Sequence, residues 1–150
     1  MRIIIQRVTQ ASVTIDKRKH AQINKGFLVL IGIEEKDTEL DADYLVQKTI
    51  GLRVFNDSDC KMNLSLNDVQ GEVLIISQFT LHAKTRKGNR PSFITAAKPE
   101  YAVPLYNYFS KQLNKQLDSE VRNGVFGADM KVTLLNDGPV TIIIDSKNKE

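Results

Sequence analysis

The sequence predicts a single α+β domain, and three observations carry that prediction. Runs rich in β-branched residues lie near both ends, at Arg2–Ile15 and around Lys131–Leu135 and Ile142–Asp145. Two segments with helical spacing lie between them, and no linker, internal repeat or low-complexity tract divides the 150 residues. Strands at both ends with helices between them make an α+β arrangement rather than a regular βαβ array. A chain of this length buries a core without staples.

Taken in order, Arg2 to Ile15 is strand-like, with Ala11, Val13 and Ile15 alternating against Ser12 and Thr14. Lys17–His20 reads as a turn. Phe27–Ile33 is nearly all apolar, the mark of a strand covered on both faces. A helix follows. Thr38 caps it with Asp41 three residues on, a variant of the capping box, and Ala42, Leu45, Val46, Thr49 and Ile50 fall on one stripe. Asn56–Asp68 is polar and reads as a surface loop. Val73–Ile76 is a short buried strand that stops abruptly at Ser77-Gln78-Phe79-Thr80-Leu81, and Lys84–Arg90 is a second polar loop.

Pro99 suits the first turn of a second helix, whose buried stripe uses Ala102, Leu105, Tyr106, Phe109 and Leu113. Pro104 fits awkwardly there and marks either a kink or the true start. Val121–Val125 is a short strand, followed by a strand pair turned at Asn136-Asp137-Gly138-Pro139-Val140-Thr141. Asp-Gly between strand-like runs is tight-turn chemistry, Pro139 fixes its own φ, and Gly138 frees the backbone before it. Local physics leaves a plain hairpin turn and a functional loop both open.

Composition narrows the function classes. One cysteine, Cys60, makes no internal disulfide, so nothing asks for an oxidising compartment. The apolar start Met1-Arg2-Ile3-Ile4-Ile5-Gln6-Arg7 is too short for a signal peptide, and no apolar run approaches the roughly 20 residues of a membrane span. A cytoplasmic protein without a membrane partner is expected. The net charge of +3 is a mild bias compatible with RNA. The two dense basic groups are Lys17-Arg18-Lys19 and Lys84, Arg86, Lys87 and Arg90. Such runs are usually solvated loops. The second group follows Ser77–Leu81 directly, which makes it the candidate for RNA phosphates.

Two hydroxyls and an amide at the end of a buried strand suggest a site, yet a serine nucleophile needs a base in reach. The two histidines are His20 and His82, and no Gly-x-Ser-x-Gly elbow surrounds Ser77. His82 is read as a surface residue at a loop mouth. One Cys and two distant His residues build no zinc site, and Asp57 and Asp59 are read as loop solvation. No metal and no cofactor are expected.

Ser77-Gln78-Phe79-Thr80 together with Asn136-Asp137-Gly138-Pro139-Val140-Thr141 resembles the D-aminoacyl-tRNA deacylase family (D-tyrosyl-tRNA deacylases). The likeness runs through Gln6-Arg7-Val8, Ala11-Ser12-Val13, Leu52-Arg53-Val54-Phe55, Lys61-Met62-Asn63, Arg90-Pro91-Ser92-Phe93 and Phe126-Gly127-Ala128-Asp129-Met130. The resemblance implies a compact β-barrel-like core of mostly antiparallel strands with outer helices. It also implies a homodimer with active sites at the subunit interface, acting on the 3′ end of D-aminoacyl-tRNA.

By the same likeness, Ser77, Gln78, Phe79 and Thr80 form the catalytic cradle, with either Thr80 or the terminal ribose 2′-hydroxyl driving hydrolysis. Gly138 and Pro139 enter the partner's pocket through a cis bond and reject L substrates, so that glycine is open to cleavage too. Phe126 and Met130 line an adenine pocket or merely fill the core. The family usually carries another residue at His82, and often glycine at Cys60; if that turn needs a positive φ, cysteine is strained there. Two other readings remain at this level: a dimeric RNA-binding module without catalysis, and a small-ester or peptide hydrolase using Ser77.

Overall fold

The computed structural model describes residues 1–149. Its frame is one long strand, β1 (Arg2–Ile15). Along one edge it pairs antiparallel first with β3 (Gly26–Gly32) and then with β2 (Arg18–Ile23), and along the other with β8 (Lys131–Asp145). β6 (Glu72–Ser77) lies parallel to β3, and β7 (Val121–Asn123) parallel to β6. The mixed sheet curls until β2 packs beside β6 and β7, nearly closing a barrel. Two helices, α1 (Glu39–Gly51) and α2 (Pro99–Gln116), pack together outside it.

β3 and β6 are buried on both faces, which explains their unbroken apolar runs. Phe27, Val29, Ile31, Val73 and Ile75 point to the helices, where they join Ala42, Leu45, Val46, Leu105 and Phe109. Leu28, Leu74 and Ile76 point into the barrel, against Val8, Ala11, Val13 and Ile23. Phe27 is fully buried and stacks on Phe55 at 5.0 Å, so its loss to alanine costs about 3–5 kcal/mol.

Local chemistry sets the helix ends. Thr38 N–H and Oγ1 both donate to the Asp41 carboxylate, at 2.9 and 3.0 Å. α2 begins at Pro99 and runs through Pro104, so Pro104 is neither its start nor its end. Its buried side chains are Ala102, Leu105, Tyr106, Phe109 and Leu113. The Tyr106 hydroxyl donates to the Ile75 carbonyl at 3.0 Å, tying α2 to β6, and burial pushes that phenol far above its ordinary pKa, so it stays a donor.

Three expectations need correction. The turn after β1 is only Asp16-Lys17, and Arg18 onward is strand. The polar stretch at 56–68 contains a small hairpin, β4 (Phe55–Asn56) with β5 (Met62–Leu64). Its turn is organised by the Asp57 carboxylate, which accepts the amides of Asp59 and Lys61. The largest correction concerns residues 136–141, which are no hairpin. β8 is continuous through them and pairs with β1 on both sides of them. Between the pairs Val8–Asn136 and Gln6–Thr141, β1 moves from 8 to 6 while β8 moves from 136 to 141, so the extra residues loop out as a wide bulge. Asn136 replaces the missing ladder: its Oδ1 accepts the Val140 amide at 2.8 Å and its Nδ2 donates to Thr141 Oγ1 at 3.0 Å.

Candidate active site

The site begins where β6 runs out. Ser77 sits opposite Ile31, and the Gln78 amide donates to the Ile31 carbonyl at 2.7 Å as the last rung beside β3. The chain then winds into one 3-10 turn, Phe79–His82, closed by Leu81 N–H on the Gln78 carbonyl. As the first two amides of that turn, those of Phe79 and Thr80 have no carbonyl within it to reach. Gln78 Nε2 donates to Thr80 Oγ1.

Side chains distant in sequence hold this turn. Arg2 Nη1 donates to the Leu81 carbonyl at 2.7 Å, while Arg2 Nε and Nη2 donate to Asp145 at 3.0 and 2.9 Å. Burial raises the Asp145 pKa, but the amides of Lys147 and Asn148 and the Arg2 guanidinium outweigh it and hold the group below its ordinary value. Thr95 Oγ1 donates to the His82 carbonyl.

His82, expected on the surface, is 5% exposed, with Nδ1 3.2 Å from Glu34 Oε1. Gly32 makes the room: a Cβ there would stand 2.9 Å from His82 Cδ2. The ring does not line the cavity beside Ser77, and its Nε2 is buried without a hydrogen-bond partner, so it is not paired with that hydroxyl.

That cavity, about 510 Å³, brings together Ser77, Gln78, Phe79, Phe93, Phe126 and Met130 over a floor of Ile31 and Ile76. Its size and apolar lining with few polar groups suit a small organic group. Phe79 meets Phe93 edge-on at 5.0 Å and is 55% exposed at the mouth. Phe126 stands edge-on to Tyr106 at 5.9 Å. Met130 reaches in because Gly124 has no side chain, a Cβ there standing 2.6 Å from its sulfur. Thr80 lies beside the cavity rather than among its lining residues.

Gly138 and Pro139 are not in this cavity. Both are exposed, and the bond between them is cis. Their loop is fixed from behind by Arg7, which is 6% exposed. Its Nε donates to the Asp137 carbonyl at 2.8 Å and its Nη1 to the Val54 carbonyl at 2.5 Å and Asn56 Oδ1 at 3.3 Å. Gly138 has φ +133°, and a Cβ would stand 2.9 Å from Arg7 Nη2, so glycine is required on both counts.

Lys84, Arg86, Lys87 and Arg90 are all exposed, on a loop closed by the Lys84–Ser92 backbone pair. None of the four meets a carboxylate among the described residues. No cluster of three or more His, Cys, Asp or Glu is placed to hold a metal among the described residues, and no helix there is long and apolar enough to cross a membrane.

Sequence reasoning missed Arg2, Arg7 and the burial of His82. Arg7 had a signal. Ile3, Ile5 and Arg7 share one face of β1, so a charge falls where the alternation demands an apolar residue.

The profile of one family, described as D-Tyr-tRNA(Tyr) deacylase, matches residues 4–145. A D-aminoacyl-tRNA deacylase of Flavobacterium johnsoniae is 58% identical over 150 residues, covering 100% of both chains. A solved structure titled as the c-Myc DNA Unwinding Element Binding Protein superposes with a TM-score of 0.92 at 42% identity, over 97% of this chain and 98% of that one. A second, titled as a probable eukaryotic D-amino acid tRNA deacylase, has a TM-score of 0.82 at 18% identity over 96% and 98%, a likeness of fold alone.

Proposed function

The chain belongs to the D-Tyr-tRNA(Tyr) deacylase family, and from that membership we propose that it hydrolyses the ester of D-aminoacyl-tRNA, releasing free D-amino acid and tRNA. One observation carries the reading to particular residues: Ser77, Gln78 and Phe79 share a cavity with Phe126 and Met130, almost fifty positions away.

In this reading Phe126 and Met130 hold the terminal adenine. The ester carbonyl lies over the amides of Phe79 and Thr80, whose donors are aimed before the charge develops. A single such donor is worth about 2.7–4 kcal/mol of barrier. Ser77 and Gln78 orient the turn, and the Gln78–Thr80 contact keeps the threonine hydroxyl engaged. With His82 held by Glu34 outside the cavity and the exposed Asp129 carboxylate at its rim paired with Lys131 Nζ, no free side-chain base faces the ester. The ribose 2′-hydroxyl of the substrate then assists the attacking water.

Selection against L substrates falls to Gly138 and Pro139, inserted from a second copy of the chain. Their carbonyls take the substrate amino group, and an L side chain meets main chain that has no rotamer to move away. A glycyl ester has no side chain to reject and is a substrate too. In support, the loop is exposed and takes no part in lining its own cavity. The outer edge of β8 is also unpaired among the described residues, with Leu135 and Ile143 56% and 65% exposed. A long bare edge of this kind is a template for association.

The test is deacylation of matched D-tyrosyl-tRNA and L-tyrosyl-tRNA by the purified protein. Rapid release from the D form, with the L form at its spontaneous rate, is the expected result. Equal release from both would mark a general esterase and remove the role given to Gly138-Pro139. Release from neither, with tRNA still bound, would mark a binding module.

A further inference from the structure

The basic tip Lys17-Arg18-Lys19 is not used by this reading, and its backbone is unusual. β1 and β2 are joined by just Asp16 and Lys17, with φ of 47° and 61°, and Ile15 faces Arg18 across the turn. Two-residue hairpins with both central φ positive favour Asn or Asp followed by Gly, because a Cβ is strained in that conformation. Here the second position holds a lysine whose side chain stands in solvent. Strain that glycine would relieve, borne instead by a cation, points to a use for the cation.

The tip also carries three cations against one carboxylate, Asp16, and β1 connects it to the site. Lys17, Arg18, Lys19 and His20 are exposed, and neither Lys17, Arg18 nor Lys19 pairs with a carboxylate among the described residues. Lys19 Nζ instead donates to Gln22 Oε1 at 2.6 Å. Ile15, Asp16, Arg18, Lys19 and His20 rim a shallow depression of about 410 Å³. Val132 lines the candidate cavity and pairs directly with Val13 on β1. From Val13 to Asp16 the strand advances about 10 Å, so the tip stands within a few nucleotides' reach of the ester.

We propose that Lys17, with Arg18 and Lys19, contacts phosphates of the RNA strand leading to the aminoacylated 3′ end. The inference rests on the hydrolase reading for its ligand and adds where that ligand's backbone runs. Contacts of this kind give affinity and register without base specificity, and salt weakens them.

The test uses Lys17→Gly and the double variant Arg18→Gln with Lys19→Gln. Each is measured for melting temperature, for affinity to uncharged tRNA across a salt series, and for turnover of D-tyrosyl-tRNA against D-tyrosyl-adenosine, which has the ester but no phosphate. Lys17→Gly is expected to melt about 2 °C higher. It should nonetheless bind tRNA roughly 3–10-fold more weakly, with a log–log salt slope shallower by about 1. At subsaturating substrate its tRNA turnover falls by the same factor relative to the short ester.

Unchanged affinity and slope in both variants would overturn the proposal. So would equal losses on both esters, which would assign the tip to the fold. If the unaltered protein cleaves neither ester, the hydrolase reading fails by itself, and the tRNA affinities still decide this surface.

Discussion

Arg7→Lys tests whether the loop at 136–141 reads the substrate. The arginine fork makes three hydrogen bonds, to the Asp137 and Val54 carbonyls and to Asn56 Oδ1, and its Nε lies 3.3 Å from the Asp137 carboxylate. A lysine keeps the charge but offers one compact ammonium, which cannot span partners on two segments. If one contact survives and two are lost, at about 1.5 kcal/mol each for a charged donor, the variant loses about 3 kcal/mol. Against a typical total of about 5–15 kcal/mol the fold persists, and the melting temperature drops by about 6–12 °C.

The informative measurement is made well below that transition, with circular dichroism confirming a folded protein. Rates on D-tyrosyl-tRNA and L-tyrosyl-tRNA are then compared with those of the unaltered enzyme. Freed from Arg7, the Asp137 and Gly138 backbone loses its fixed position, and the D rate is expected to fall at least tenfold, about 1.4 kcal/mol of transition-state stabilisation. The ratio of D to L rates falls with it. A variant that is destabilised as calculated but keeps both the D rate and the ratio would refute the role assigned to this loop.

Cys60 is exposed, with φ 61°. Cys60→Gly therefore relieves about 1–2 kcal/mol of left-handed strain against a smaller entropic cost, and a denaturant melt should show a net gain of about 0.5–1 kcal/mol. Gly124→Ala puts a Cβ 2.6 Å from the Met130 sulfur and 2.9 Å from Ile76 Cδ1. Met130 is pushed off its seat over Gly124, and KM for D-tyrosyl-tRNA should rise with little change in melting temperature; an unchanged KM would remove Met130 from the binding surface. Because the Asp145 pKa is lowered in the folded protein, its contribution is complete above the ordinary value of 3.8 and is lost as pH falls through the lowered one. The stability gap between the unaltered protein and Asp145→Asn, under about 1 kcal/mol at this partly exposed pair, should thus be flat near neutrality and close in acid.

What was legible in the sequence was local. The alternation in β1, the Thr38–Asp41 cap and the apolar stripe of α2 all depend on residues a few positions apart, and they stand where the pattern placed them. Residues 136–141 carry equally clear turn chemistry, yet they form a bulge. A fourteen-residue β1 is long enough to partner both flanking runs, and Asn136 accepts the Val140 amide and donates to Thr141 Oγ1 across the bulge. His82 was misplaced for a similar reason. Its burial depends on space left by Gly32 fifty residues earlier and on a carboxylate at Glu34, neither of which a local reading of residues 77–90 contains.

The separation of the two strongest motifs allows a decisive experiment. Ser77–Phe79 line the cavity, while Gly138-Pro139 stand exposed elsewhere on the same chain. If a second copy supplies the loop, a subunit with a damaged pocket (Phe126→Arg) and one with a damaged loop (Pro139→Lys) are each inactive as pure dimers. In a mixed dimer, the sound loop of the first meets the sound pocket of the second. Random mixing makes about half of the dimers mixed, each with one complete site of two, so about a quarter of full activity should return. The mixture must be unfolded and refolded together, or incubated until subunits exchange, with sizing chromatography showing one dimer peak throughout. No recovery in an exchanged mixture would mean that each loop serves its own chain, although it does not line that chain's cavity. Recovery could not come from repair within a chain, because neither variant contains an intact pair.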